Sequence, residues 1–319
     1  GDFTVLPTAV TLTGGAPATA ATAAVATTGV NASGGMGFDG AGTTTLSGAN
    51  SYAGSTTVGS GSTVNVTGSF ATPITKAGAG LLNITSSQGF TGAAAVTAGT
   101  LKLSGTGAIN SSSGVSLNGP AALLLQNSSV SLNVPVTLTQ GRLDGTTTVG
   151  GAVTVGAGTG GIVANGDGGT GTLTLGSSLT FDGAGSLALS PIGGATLTTA
   201  PLTVTGALTV PVTANTITVN VTPGALLVNG STYNLIGYGS FVGNVAAFQK
   251  GTGFLSRQTP TFSSAGGFIK VAIAGDSPKW TGALNSIWST ATLTAPKNWK
   301  LITADTTTDY LQGDVVLFD

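Results

Sequence analysis

The chain has 319 residues with 53 glycines, no cysteine, no histidine and no glutamate, and its 9 basic and 10 acidic residues give a net charge of −1. This composition excludes Ser–His and Cys–His catalytic pairs within one chain. It also removes the positive charge on which binding to nucleic acids depends. Thr, Val, Ala, Ser and Gly dominate where helix-forming residues would be expected, which predicts an almost entirely β protein.

The N-terminal segment reads as partly alternating strands. Met36 is the single methionine, so we expect Gly1 to follow a removed export signal and the protein to lie outside the cell or on a bacterial cell surface. A run of about 18 apolar residues is absent, which predicts no membrane insertion. The apolar residues assigned here to a subunit interface are Phe3, Val5, Leu6, Val10 and Leu12.

An internal repeat follows. GAGTTTLSGANSYAGSTTV, residues 40–58, aligns without a gap with GAGLLNITSSQGFTGAAAV, residues 78–96, at an offset of 38 residues. Each copy reads as short strands separated by Gly turns. Units this thin bury their apolar faces by stacking on one another, so the repeat predicts a β-solenoid, most clearly over residues 38–109. A sandwich built from the same strands is the alternative.

Less regular sequence of the same kind continues to Ala274, which predicts that the solenoid covers residues 1–274. At about 20–25 residues per coil, some ten coils are expected. With about 4.8 Å between stacked strands, they would form a rod on the order of 50 Å long.

The composition changes at residues 275–319, which hold all three tryptophans. The aromatic cluster expected there either forms the core of a small element or stacks on sugars. The chain ends in GDVVLFD, whose last strand is apolar on both faces and therefore needs cover on both faces. The cluster comprises Trp280, Trp288, Trp299 and Tyr310, and the strand contributes the interface residues Val315, Val316, Leu317 and Phe318.

The first repeat copy strongly resembles the autotransporter-associated β-strand repeat, also called the passenger-associated transport repeat. The second copy departs from the pattern with Gln88 and Phe90 at the Asn and Tyr positions. The resemblance implies an exported, surface-located, right-handed parallel β-helix, and it implies no activity. The positions that carry it are Leu46, Gly48, Asn50, Tyr52, Gly54, Thr56, Val58, Gly61 and Val66.

The Trp-containing C-terminal segment resembles an element that precedes the solenoid in large repeat proteins of this kind. Here the order is reversed, because the segment follows the solenoid. A physical interpretation is that the C-terminal strand of one copy completes the N-terminal strands of the next copy. Such a contact joins copies head to tail and, where the rotation does not close, makes a filament.

Candidate catalytic and metal-binding groups are few. General acid–base chemistry needs grouped carboxylates, whereas four Asp residues of the solenoid are interpreted as isolated turn formers. NGDGGTG, residues 165–171, faintly resembles a calcium loop, but one Asp is too few for that ion, so a turn is favoured. The four residues are Asp39, Asp144, Asp167 and Asp182.

The sequence therefore predicts a non-enzymatic structural protein whose partner is a further copy of itself, with no cofactor and no metal. The alternative is a surface adhesin that binds a glycan or a host protein. A polysaccharide-acting β-helix enzyme is the third option, and it lacks the necessary residues.

Overall fold

The chain forms a β-solenoid of parallel strands, as the repeat predicts, and not a sandwich. The residues that the structure describes include two short 3-10 helices, Gly166–Gly168 and Val245–Ala247. Within the described part of the chain, no helix has the length and apolarity needed to cross a membrane. A computed structural model describes residues 9–13, 35–50, 54–156, 160–169, 171–192, 199–223, 227–312, 314 and 316–318.

The larger sheet, called the first sheet, has fifteen strands in the described part of the chain. Two of them, β16 (Thr148–Val149) and β19 (Leu173–Leu175), join it through pairing with β22. The others, in spatial order, are β1 (Ala9–Thr13), β2 (Gly35–Asp39), β5 (Thr56–Val58), β8 (Thr75–Ala77), β10 (Ala94–Val96), β12 (Val115–Leu117), β14 (Val136–Leu138), β17 (Val153–Val155), β20 (Leu179–Phe181), β22 (Leu202–Thr209), β24 (Thr232–Val242), β27 (Phe268–Ala274) and β26 (Thr259–Ala265).

Ten strands of the second sheet lie within the described residues, in agreement with the ten coils expected. A third face holds short pairs such as β4 (Ala49–Asn50) with β7 (Ser69–Phe70). The chain passes through the second sheet, the third face and the first sheet in each coil. The second-sheet strands are β3 (Gly42–Leu46), β6 (Ser62–Val66), β9 (Leu81–Ile84), β11 (Gly99–Gly105), β13 (Ala122–Ser128), β15 (Arg142–Gly145), β18 (Ile162–Ala164), β21 (Gly185–Ile192), β23 (Ile217–Pro223) and β25 (Phe248–Lys250).

The core is a set of side-chain ladders that run along the solenoid axis. Inward residues of consecutive second-sheet strands lie in register, so each aliphatic side chain packs on its equivalents in the coils before and after it. Every member of the longest ladder has no solvent exposure. The ladder consists of Val64, Leu82, Leu101, Leu124, Leu143, Val163, Leu187 and Val219.

The 38-residue repeat corresponds to two coils, and its gapless alignment holds in only one sheet. In the second sheet Leu46 lies opposite Val66, which lies opposite Ile84, the alignment partner of Leu46. In the first sheet Thr56 lies opposite Lys76, and Lys76 opposite Val96. The first sheet is therefore shifted by two residues from the alignment. Because the shift is even, inward residues stay inward.

The polar position of the repeat bonds neighbouring coils together. Buried Asn50 donates to the carbonyls of Gly48 and Ser69 at 2.9 and 3.1 Å. Buried Gln88, its counterpart, accepts from the Phe70 amide at 2.7 Å and donates to the Gly68 carbonyl at 3.1 Å. Gln at this position of the second copy therefore keeps a cross-coil hydrogen bond. Tyr52 lies outside the described residues.

The parallel order ends before Ala274, where we predicted the solenoid to stop. Strands β26 and β27 form an antiparallel hairpin, and β27 pairs antiparallel with β24. The hairpin turns at Gly266 and Gly267, with φ of 62° and 79°, a conformation that glycine adopts at little cost. The edge strand β26 contains Pro260, which has no N–H to offer a further strand. The hairpin therefore closes this end of the first sheet.

Candidate functional site

The C-terminal segment forms its own four-stranded sheet, here called the terminal element (residues 276–318). Its strands are β28 (Pro278–Trp280), β29 (Trp299–Leu301), β30 (Thr307–Thr308) and β31 (Leu317–Phe318), in the order β30-β29-β28-β31. The last strand β31 pairs parallel with β28, which places Phe318 opposite Trp280. The C-terminal strand thus pairs within its own chain and forms an edge of this sheet among the described residues.

The four predicted aromatic residues lie together. Trp299 is buried, and the rings of Trp280 and Trp288 each meet it edge-on at a centroid distance of 4.9 Å. Tyr310 lies 5.0 Å from Trp288, and Phe318 lies 5.8 Å from Trp288. Phe318, predicted as an interface residue, therefore also belongs to this cluster. The cluster is the core of the terminal element and is open on one side.

Exposed apolar side chains concentrate in the terminal element. Of the eleven large hydrophobic residues that are exposed in the described chain, seven lie beyond residue 275. Trp288 is 46% exposed and Phe318 56%, and their rings are in contact. Exposed apolar side chains that contact one another, as these two rings do, are typical of an interaction surface. The seven exposed residues of this element are called the apolar surface: Leu284, Ile287, Trp288, Ile302, Leu311, Leu317 and Phe318.

A buried asparagine holds the loop that carries Trp288. The Asn298 side chain is fully buried and accepts from the amides of Leu284 and Asn285 at 2.8 and 2.9 Å. Its amide group donates to the Asn285 side chain at 2.8 Å and to the Ile287 carbonyl at 3.0 Å. The Asn-Trp pair noted in the sequence therefore supplies both the loop anchor and the buried ring of Trp299.

Two carboxylates hold the rest of the terminal element. Partial burial disfavours ionisation of Asp276, but the amides of Thr303, Ala304 and Ser277 bind its carboxylate, and the pKa of Asp276 is lowered on balance. Burial acts in the same way on Asp309. There the hydrogen bond from Lys297, the Leu293 amide and the charges of Lys297 and Arg257 outweigh it and lower the pKa of Asp309.

This arrangement predicts acid release of the terminal element. Because the folded pKa values of Asp276 and Asp309 lie below the ordinary value of 3.8, both carboxylates stabilise the fold above that pH, and their contribution is lost as the pH falls through the folded values. All three tryptophans lie in this element, so a red shift in their fluorescence below about pH 3.8 reports its opening.

A matched pair of variants tests the assignment. Asp309→Asn should move the fluorescence transition to higher pH, whereas Asp305→Asn should leave it unchanged. The Asp305 carboxylate pairs with Lys300 at 2.7 Å but is 78% exposed, and such pairs contribute little. Equal transitions in the native chain and both variants would contradict the prediction.

The predicted N-terminal interface lies only partly within the described chain. Among the described residues, strand β1 forms the outer edge of the first sheet, with Val10 opposite Met36 and Leu12 opposite Phe38. Phe3, Val5, Leu6 and Val315 lie outside the described residues. Val316 is partly exposed and Leu317 is 46% exposed. The structure contains one chain, so contact between these two sets of residues stays a prediction.

A buried lysine escaped the sequence prediction. Lys76 lies in the first sheet between Thr56 and Val96 and has no solvent exposure. Its ammonium donates to the carbonyls of Ala77, Gly78 and Ala98 at 2.8, 2.6 and 3.0 Å, so all three donors are satisfied. Burial lowers the pKa of Lys76 to about 8.

The interpretation of Asp144 as a turn former was wrong. Asp144 lies in strand β15, is 3% exposed, and accepts from Arg142 at 2.6 Å. Asp167 does lie in a turn with φ of 52°, but it is not isolated, because its amide bonds Asp144 at 3.1 Å and its carboxylate bonds Asn127 at 2.7 Å. The turn of NGDGGTG thus folds back over the second sheet. The described residues contain no group of three or more His, Cys, Asp or Glu side chains that could hold a metal ion.

Comparisons with protein-family models, with curated proteins and with solved structures found no match to this chain. The resemblance to the autotransporter-associated β-strand repeat therefore stays a prediction, and the function has to be argued from the geometry described above.

Proposed function

We propose that the chain is a non-enzymatic, extracellular structural protomer whose copies join head to tail into a filament. In this proposal the outer edge of β31 in one copy pairs with the outer edge of β1 in the next. The observation that carries it is the position of the apolar surface: Leu317 and Phe318 are exposed on a strand whose outer edge has no partner in the described chain. An unpaired apolar edge strand is a template for a strand from a second molecule.

The closed end of the solenoid supports the same joint. Pairing of β26 with the strand β1 of a second copy is disfavoured, because Pro260 has no N–H to donate and the exposed residues of β26 include no large hydrophobic side chain. The terminal element follows this hairpin and carries an exposed apolar edge strand instead.

The distribution of charge favours a structural role. The buried carboxylate Asp144 is paired with Arg142, and buried Lys76 donates to three main-chain carbonyls. General acid–base catalysis needs a titratable group that can reach a substrate. These groups instead make hydrogen bonds between neighbouring coils, from Lys76 to the Ala98 carbonyl and from the Asp167 amide to Asp144.

Assembly can be tested with one charge. Leu317→Asp should abolish filaments seen by electron microscopy, because a carboxylate in place of an apolar side chain would have to be desolvated when the joint forms. The same substitution at the exposed Val212, which is 77% exposed on the solenoid, should leave filaments intact. Circular dichroism and tryptophan fluorescence should match the native chain in both variants, since both sites are exposed in the single copy.

If Leu317→Asp forms filaments of normal length, the proposed joint is wrong. The adhesin alternative is favoured by one observation, the 46% exposure of Trp288 on the open side of the aromatic cluster. It would replace the filament proposal if the native chain stays monomeric and binds a neutral glycan that Trp288→Ala fails to bind.

A further inference from the structure

The terminal element is attached to the solenoid by a short connection and a side-chain clamp. Only residues 275–277 separate β27, the last strand of the solenoid, from β28 of the terminal element. Gly275 begins this connection in a close-packed position, where a Cβ would lie 2.8 Å from the Arg257 carbonyl oxygen and 2.9 Å from the Asn229 side-chain oxygen. Side-chain contacts from the same turn add to the orientation of the terminal element.

Arg257 makes those contacts. It lies in the turn before the edge strand β26, and its Nε donates to both carboxylate oxygens of Asp314 at 3.0 Å. Its Nη2 donates to the main-chain carbonyl of Asp309. One guanidinium thus binds two points of the terminal element from the capped end of the solenoid, and its planar fork fixes direction as well as distance.

The ion pair between Arg257 and Asp314, here called the clamp, is largely buried. The Asp314 side chain is 1% exposed and the Arg257 side chain 17%. Asp314 also accepts from the Leu311 amide at 2.7 Å, so the carboxylate is held from both sides. A buried ion pair adds little net stability compared with apolar packing, and in some proteins it specifies a unique geometry. Asp314 lies three residues before Leu317, so the geometry it fixes is that of the strand that carries the proposed joint.

We infer that Arg257 is a positioning residue that sets the orientation of the terminal element on the solenoid and, through it, the angle between successive copies. Only the claim about the angle between successive copies rests on the proposed head-to-tail function. The claim about the orientation of the terminal element concerns a single copy and can be tested without any filament.

The orientation can be measured in the full chain. The sequence contains no cysteine, so Val212→Cys on the solenoid and Thr306→Cys on the terminal element introduce a single pair of spin-label sites, both exposed. The labelled native chain should give one narrow distance distribution by pulsed electron paramagnetic resonance. Arg257→Gln should lose that single peak, while tryptophan fluorescence stays native because the aromatic cluster does not include Arg257.

Arg142→Gln is the matched control. Arg142 is the only other arginine and makes a comparable pair with Asp144 at 2.6 Å, but within the solenoid. The distance distribution of the spin-labelled Arg142→Gln chain should stay narrow. In electron micrographs, Arg257→Gln filaments should show a wider spread of angles between copies than the native chain and Arg142→Gln.

The outcomes separate the two ideas. A narrow distribution in Arg257→Gln would overturn the clamp whether or not filaments form. If the native chain forms no filaments but Arg257→Gln loses the narrow peak, the clamp stands and the proposed head-to-tail function fails. If loss of the peak is accompanied by altered tryptophan fluorescence, Arg257 acts in folding the element, and its role as a positioning residue is rejected.

Discussion

Leu124→Ala is expected to lower the free energy of unfolding by about 3 kcal/mol, because it removes three buried carbons from the middle of a ladder and leaves a cavity. Leu124 has no solvent exposure and lies between Leu101 and Leu143 of the adjoining coils. In a solenoid each coil is stabilised chiefly by its two neighbours, so the loss weakens both interfaces. Denaturant unfolding followed by circular dichroism measures the change.

The neighbouring leucine provides the control. Leu123 lies in the same strand β13 but points outward and is partly exposed. Leu123→Ala should therefore cost less than about 1 kcal/mol. If the two substitutions cost the same, the register of the second sheet is wrong, since a shift of one residue exchanges the inward and outward sets.

The stacking of coils could be predicted because it depends on a periodic signal. Leu46 and Ile84 align in the repeat and lie two coils apart in one ladder. The aromatic cluster could be predicted because large aromatic side chains in a short segment bury their surface mainly by packing on one another. In both cases the information is local or periodic, and a single sequence contains it.

The features that escaped prediction depend on distant contacts. The hairpin cap had a usable local signal, the two glycines Gly266 and Gly267 between alternating apolar runs. The pairing of Phe318 with Trp280 within one chain had none, since the open edge of β28 cannot be read from the sequence. Likewise Arg257 and Asp314 are far apart in sequence, and only the fold brings them together.

The burial of Lys76 could not be predicted from the neighbouring residues in the sequence. A single lysine between Thr75 and Ala77 reads as an outward residue, since lysines are rarely buried. The alternation of strand β8 instead places it inward, on the same face as buried Ile74 and in register with Thr56 and Val96. The burial is tolerated because three carbonyls of two adjacent coils converge on the ammonium. Gly99 is needed beside them: its φ is 64°, and a Cβ there would lie 2.8 Å from the lysine nitrogen.

This burial predicts that the protein becomes more stable as the pH rises above neutrality. The pKa of Lys76 is about 8 in the folded chain and 10.5 for an ordinary lysine, so between these values the unfolded chain binds a proton that the folded chain does not. Stability therefore increases with pH in that range. From pH 7 to pH 10 the gain from this one group should be about 2 to 3 kcal/mol.

The effect is isolated by comparing the native chain with Lys76→Met at both pH values. Methionine fills the ladder position but cannot titrate, so the gain on going to pH 10 should disappear in this variant. Lys102→Met is the control, because Lys102 points outward on the second sheet and its side chain is 29% exposed. It should keep the full gain.

The sign of the result decides between two views of Lys76. If the ammonium were stabilised by its three carbonyls beyond what water provides, its folded pKa would lie above 10.5 and the native chain would lose stability on going to pH 10. The desolvation described here requires the opposite. A gain shared equally by the native chain and Lys76→Met would show that other groups cause it, and that the carbonyl cluster offsets the burial of this lysine in full.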